Sequence, residues 1–330
     1  MILIHYPNRH VSNDTVLDFE DELLKSDIFT IARYNFFFSQ IRYLLYRCLR
    51  KMSIDLDIVP KVRSVYTTDA TKDKKHLFAI MMGIDEQKWR TCGIHSCHNK
   101  SIYLFDAWPS NYGRIISFCK KYKINFLFIT SQQSTIRLSA ALPQVSVHYI
   151  PEAITVSRYY YLDYTSKNID VLAYGRKWDK YHESIVDRLS ERNVSYLYEK
   201  NKGELIFPDR KAFLHGLAAT KISICVPSNI THPSRAGDVE TMTVRYLESM
   251  ASKCLILGIA PKEMIDLFGY NPIIEIDWEN PVEQILLLLK NYDNYIPLIE
   301  KNYSEVSRHH SWANRCYQMM NIWKGEMTTN

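Results

Sequence analysis

Short apolar runs alternating with amphipathic stretches decide what this chain can fold into. The second half shows the order most plainly: "IDVLAYG" is followed by "DKYHESIVDRLSER", then "VSYLY", "DRKAFLHGLAAT", "KISICVP", "TMTVRYLESMAS", "CLILG", "KEMIDLF" and "PIIEI". Apolar runs of four to eight residues bounded by turn residues read as buried strands, and the stretches between them carry helical periodicity. Strict β/α alternation builds a parallel sheet with helices on its faces. In the first half "ILIHY", "SIYLFDAW", "INFLFIT" and "VSVHYIP" read as strands, with "NYGRIISFCKKY" as a helix. Residues 12 to 75 do not follow the pattern as plainly and include "FFFSQIRYLLYRCLRKM", an aromatic and basic stretch read as helical. With 330 residues the chain has room for two domains of about 150. The expectation is therefore α/β: two Rossmann-like domains facing each other across a cleft, over residues 1–155 and 156–310, joined near 151–168. Residues 311–330 are expected to form a closing helix that packs back on the first domain. Ligands of such sheets bind at the carboxyl ends of the strands.

Composition narrows the partners. Lys and Arg exceed Asp and Glu by 41 to 36, a net charge of +5, which suits small anions but carries no basic stripe of the kind nucleic acid needs. The seven cysteines are odd in number, and Cys225 and Cys254 lie in apolar runs, so buried thiols in a reducing cytoplasm are expected rather than disulfides. The start "MILIHYPNRH" lacks a basic leader and a long apolar segment, and no run reaches the roughly 20 apolar residues of a membrane span.

The stretch that carries chemistry is "CVPSNITHPSRAGDVETMTVRYLESMA", a long loop after a strand and before a helix. Glu240 falls in the loop and Glu248 on the second turn of the helix. Thr241 and Thr243 are N-cap candidates, and the unpaired N–H groups of a first helical turn attract anions. Arg245, a turn in, has the planar fork that grips a phosphate through two hydrogen bonds. Glu248 could accept hydrogen bonds from two vicinal hydroxyls, as a ribose presents them. Glu240 could meet a sugar beyond the phosphates.

This spacing resembles the E-x7-E motif of GT-B glycosyltransferases. "TVRYLESMASKCLILG" is similar to the "R-x-x-E-x-x-A-x-G" stretch of the CgeB-like and related group 1 branches, with Lys253 in place of the usual glycine. "VSRHHSWANRC" is similar to their closing "H-[ST]-x-x-x-R" helix, and "SIYLFDAWPSNYG" and "VHYIPEAI" to their first domain and linker. The resemblance runs from about residue 100 onward. It implies a donor domain beginning at "IDVLAYGRKWDKY", with Gly175, Arg176, Lys177, Lys180 and Ser228 joining Thr241, Thr243 and Glu248 around a nucleotide-diphosphate sugar. It implies sugar transfer to a glycan or lipid-linked glycan, without a metal or further cofactor, in the making of bacterial surface polysaccharide. Glu240 and Arg245 would act on the breaking sugar–phosphate bond, where fixed cations stabilise the charge developing on the leaving group.

Other residues of the chain invite a chemical reading as well. Asp106, closing "SIYLFD", reads either as a general base for an acceptor hydroxyl or as a turn residue before Pro109. His5 and the pair His309 and His310 read as structural. Asp55 and Asp57 form the chain's D-x-D, read here as strand alternation rather than a metal site. Cys92, His95, Cys97 and His98 have a C-x2-H-x-C-H spacing that fits no zinc geometry and read as a surface loop. The basic residues Arg42, Arg47, Arg50 and Lys51 read as the wet face of a helix, with contact to an anionic membrane as the alternative. A dinucleotide oxidoreductase is disfavoured because no G-x-G-x-x-G follows a strand. A non-catalytic nucleotide- or glycan-binding protein is the remaining alternative.

Overall fold

The computed structural model describes residues 1–4, 14–26, 28–31, 76–86, 89, 99–175, 177–201 and 203–327. Contacts divide the chain into two units. The first holds Met1–Ala107, Asn111–Thr130 and Thr135–Tyr149; the second holds Trp108–Ser110, Ser131–Ser134 and the chain from Ile150 onward.

The first unit is built on a sheet of β1 (Ile2–Ile4), β2 (Thr30–Ile31), β3 (His76–Met82), β4 (Asn99–Phe105), β5 (Phe126–Ile129) and β6 (Ser146–Tyr149), in the order β2-β1-β3-β4-β5-β6. Every pairing is parallel. Strands β3, β4 and β5 are buried along nearly their whole length, as expected of a sheet covered on both faces. Helices α1 (Asp14–Leu24), α2 (Tyr112–Tyr122) and α3 (Gln132–Ala141) accompany this sheet. Ile115, Phe118 and Cys119 of α2 and Leu138 of α3 pack on Ile102, Leu104, Leu127 and Ile129.

In the second unit the sheet contains β7 (Ile169–Ala173), β8 (Tyr196–Tyr198), β9 (Thr220–Cys225), β10 (Leu255–Gly258) and β11 (Ile274–Glu275), in the order β11-β10-β9-β7-β8, all parallel. The helices are α4 (Asp179–Glu191), α5 (Arg210–Ala218), the short α6 (Ser228–Thr231) and α7 (Pro233–Ala236), α8 (Val244–Ala251), α9 (Lys262–Phe268), α10 (Pro281–Lys290), α11 (Ile296–His309) and α12 (Trp312–Met327). The two-residue period of the strands sorts the core into two layers. Leu172, Cys225 and Ile256 face α8 and α9 through Tyr246, Leu247, Met250, Met264 and Phe268. Val171, Ala173, Ile222, Ile224, Leu255 and Leu257 face α4 and α10 through Tyr181, Ile185, Leu189, Val282 and Ile285. Among the described residues no helix is long and apolar enough to cross a membrane.

Helix α12 groups with the second unit, and the division falls between Tyr149 and Ile150. The reason is local: Ser311 bridges Ile154, the Trp312 N–H donates to the Ile154 carbonyl at 3.2 Å, and Arg315 Nε donates to the Pro151 carbonyl at 2.9 Å.

Lys253 stands at a backbone position that favours glycine. It follows the C-cap Ser252 of α8 with φ of 51°, while the Lys253 N–H bonds the Met250 carbonyl and the Cys254 N–H the Ser249 carbonyl. This is the Schellman arrangement, whose left-handed residue favours glycine. The lysine Nζ lies 2.7 Å from Glu300 Oε1 and 3.9 Å and 4.8 Å from the ring centres of Tyr161 and Tyr303, contacts that offset the backbone cost. Lys253→Ala keeps the strained backbone and loses the contacts, and is expected to destabilise by about 2 kcal/mol. Lys253→Gly should recover about 1 kcal/mol of that in denaturant unfolding.

Candidate functional site

The order of the second sheet creates its own binding position. The chain leaves β7 toward β8 on one side and returns as β9 on the other, so the sheet's topological switch point lies where the carboxyl ends of β7 and β9 adjoin. Arg245 of α8 occupies this point. It is 8% exposed, and its Nη1 and Nη2 donate to the carbonyls of Tyr174, just past β7, and Val226, just past β9, at 3.1 and 3.0 Å. Gly175 gives it room: its φ is 74°, and a Cβ there would stand 3.0 Å from Arg245 Cδ. Of the expected site residues, Gly175 and Arg245 are thus brought into contact.

Glu240 lies in the loop, as the spacing implied, and α8 begins only at Val244. Its N–H donates to Gln133 Oε1 at 2.7 Å, while its half-buried carboxylate makes no hydrogen bond or ion pair among the described residues. The residues directly beyond it are held by Glu263 of α9. Glu263 Oε1 accepts from the Thr241 hydroxyl at 2.6 Å and the Met242 N–H at 2.9 Å, and Oε2 accepts from the Gln132 N–H at 2.9 Å. Burial pushes the Glu263 carboxyl up from its ordinary value, against the pull of these three donors. The Thr241 side chain, expected to face a ligand, therefore points to Glu263. Thr243 takes the N-cap position expected of it, with extended dihedrals, but its hydroxyl makes no cap bond. The Val244 N–H of α8 instead donates to Glu152 Oε2 at 2.7 Å, so the protein's own carboxylate stands where the helix terminus was expected to take a phosphate.

Glu248 lies one turn further along α8. At 7% exposure it accepts from the Tyr159 hydroxyl at 2.7 Å and lies 3.2 Å from the Tyr174 hydroxyl, with Arg210 Nη1 at 3.5 Å. Arg210 Nη2 in turn donates to the Tyr159 oxygen at 2.8 Å. Burial first, and the neighbouring Glu248 second, push both tyrosine hydroxyls well above their ordinary value, which keeps them protonated as donors. Arg245→Ala and Glu248→Ala are therefore changes to the fold as well as to the site. Each would strand polar partners inside the protein.

Ser228, Lys177, Lys180 and Asp106 complete the described candidates. Ser228 is buried at the start of α6. Lys177 Nζ lies 3.8 Å from Asp179 Oδ1 and 5.7 Å from the Tyr198 ring centre, and Lys180 Nζ lies 5.6 Å from the ring centre of Trp278. Asp106 follows β4 in the first unit with φ of 50°, a left-handed conformation uncommon outside glycine. Arg176, His5, Asp55, Asp57, the group Cys92, His95, Cys97 and His98, and the basic stretch from Phe36 to Met52 lie outside the described residues. Among the described residues no group of three or more His, Cys, Asp or Glu side chains could hold a metal ion. Sequence reasoning missed Gln133, Glu152, Tyr159, Arg210 and Glu263, which reach α8 and its approach from distant parts of the chain.

No family model matches the chain, and no curated protein matches it. Solved structures do. HepE of Anabaena, in complex with UDP, is similar at TM-score 0.56 with 9% identity, over 98% of this chain and 99% of that one. The same protein with UDP-glucose gives 0.55 at 7% identity. A glycosyltransferase of Rickettsia africae gives 0.51 at 11% identity over 94% of this chain and 88% of its own. Sucrose-phosphate synthase of Thermosynechococcus elongatus gives 0.51 at 11%, over 77% and 74%. The chain spans only 54% of TarM, at TM-score 0.47. Two parallel sheets, each flanked by helices, and a likeness to HepE over nearly the whole of both chains establish the fold as GT-B, with two Rossmann-like units.

Proposed function

We propose that this protein is a glycosyltransferase that moves a sugar from a nucleotide-diphosphate donor to a hydroxyl of a glycan or lipid-linked glycan. The observation that carries the reading is Arg245, seated at the switch point of the second sheet by Gly175, with Glu240 one loop away. It is supported by the fold shared with HepE, a protein solved with UDP and UDP-glucose. In this reading Arg245, Arg176, Lys177 and Lys180 supply positive charge to the leaving diphosphate, where charge grows as the sugar–phosphate bond breaks. Glu240 meets the donor sugar. Glu248 serves the donor site, with Arg210 and Tyr159 setting its position. Asp106 takes the proton of the acceptor hydroxyl. Glu152 must yield the first turn of α8 if a phosphate is to reach it. The reaction is proposed to need no metal, the chain to belong with the CgeB-like branch, and its product to be bacterial surface polysaccharide made at the cytoplasmic face of the membrane.

The test is release of nucleoside diphosphate from UDP-glucose, GDP-mannose, ADP-glucose and dTDP-glucose, with and without EDTA. Turnover of one donor in EDTA is the expected result. Binding without turnover would favour the non-catalytic alternative, and neither would overturn the proposal.

A further inference from the structure

We infer that Glu263, with Gln133, is the positioning device that sets Glu240 against the donor sugar. The inference rests on the reading of Glu240 given above, and on a geometry that stands by itself. Glu263 is 5% exposed, and its two oxygens accept three hydrogen bonds from two separate stretches of chain. Two of the donors are the Thr241 hydroxyl and the Met242 N–H, the residues directly after Glu240. The third is the N–H of Gln132, whose neighbour Gln133 accepts the N–H of Glu240 itself. One buried carboxylate thus fixes the backbone on the far side of Glu240 and also fixes the segment that holds Glu240's own amide. Hydrogen bonds to a charged acceptor are among the strong ones, and burial raises their worth. The whole arrangement leaves the Glu240 side chain without an intramolecular bond among the described residues, held by its backbone alone. A residue meant to meet a ligand needs such support, because a loop left to itself does not hold a carboxylate to within half an ångström.

The discriminating quantity is the sugar increment: the ratio of the Kd of a nucleoside diphosphate to that of its nucleotide sugar. It is measured by calorimetry for UDP against UDP-glucose, GDP against GDP-mannose, ADP against ADP-glucose and dTDP against dTDP-glucose. Losing one bond to a charged acceptor is worth about tenfold. Glu263→Ala is therefore expected to cut the increment by about tenfold while changing the affinity for the diphosphate by less than about twofold. Glu263→Gln retains an acceptor for Thr241 and Met242 and should restore most of the increment. Gln133→Ala, half-buried and outside the sheet, provides a second variant if Glu263→Ala does not fold, and should cut the increment by several-fold. An unchanged increment in Glu263→Ala or Gln133→Ala overturns the inference and leaves the proposed function standing. So does an equal weakening of both ligands in Glu263→Ala with Gln133→Ala unaffected, the mark of a purely structural role. If the wild-type protein binds none of these ligands, the proposed function fails and the inference with it.

Discussion

Glu240→Gln is expected to lower sugar transfer by about a hundredfold or more while leaving the melting temperature where it was. The two halves of this expectation have separate causes. The carboxylate makes no hydrogen bond or ion pair among the described residues, so the isosteric amide removes no internal partner. Its backbone anchors, Gln133 on its own N–H and Glu263 on the next two residues, are untouched. Stability should therefore stay within about 0.5 kcal/mol. In the proposed function, what changes is the charge presented to the donor sugar, and a charge matched to the transition state acts on rate rather than on folding. Loss of activity together with loss of stability would mean that Glu240 is structural. The same experiment on Arg245 or Glu248 would be harder to read, because truncating Arg245 takes a donor from the Tyr174 and Val226 carbonyls and truncating Glu248 takes the acceptor of the buried Tyr159 hydroxyl.

Arg315→Ala is expected to destabilise the second unit by about 3–5 kcal/mol, seen as a fall in the denaturant midpoint. The side chain is 1% exposed. It donates to the carbonyls of Pro151 at 2.9 Å, His309 at 3.2 Å and Glu152 at 3.4 Å, and to His310 Nδ1 at 2.8 Å. Truncation would strand several of these acceptors and open a cavity beside them. The His310 bond requires a neutral ring. Burial, and then the Arg315 charge beside it, hold His310 down to about 3, against an ordinary histidine value of 6.5. The unfolded chain therefore takes up this proton at a higher pH than the folded one. Stability from this group is full above about pH 6.5 and falls by about 1.4 kcal/mol per pH unit as the pH drops toward 3. His310→Gln should flatten that acid limb of the stability profile. An unchanged profile would contradict the neutral, buried assignment.

The residues Arg315, His310 and Ser311 show what a sequence can give. Their "H-[ST]-x-x-x-R" pattern was visible, and in the structure His310 accepts from Arg315 while Ser311 bonds Asn314 at the start of α12. What the pattern could not say was where the helix docks, since its partners Pro151 and Ile154 lie more than 150 residues earlier. The same division runs through the candidate site. Strands β7, β9 and β10 were legible because apolar runs bounded by turns leave few alternatives, and the loop position of Glu240 followed from a helix that starts after it. The helical pattern alone starts α8 at Thr241, three residues before its actual start at Val244. Thr241 and Met242 bond Glu263 instead of entering the helix, a tertiary interaction that no local propensity encodes. Glu152, Tyr159 and Arg210 were invisible for the same reason: each is an ordinary polar residue until the fold brings it to α8. Lys253 stands out in the sequence, but its neighbours come only with the fold: Tyr161 from the segment before β7, and Glu300 and Tyr303 from α11.

The most direct test of the central claim is binding of UDP, GDP, CDP, ADP and dTDP to the purified protein in EDTA, followed by thermal shift and calorimetry. The account predicts that one diphosphate raises the melting temperature by several degrees. It also predicts that Arg245→Lys, which keeps the charge but not the two-carbonyl fork at the switch point, weakens that ligand by about tenfold or more. Binding of none of the five, in a protein whose unfolding is cooperative and whose melting temperature is otherwise normal, would contradict it.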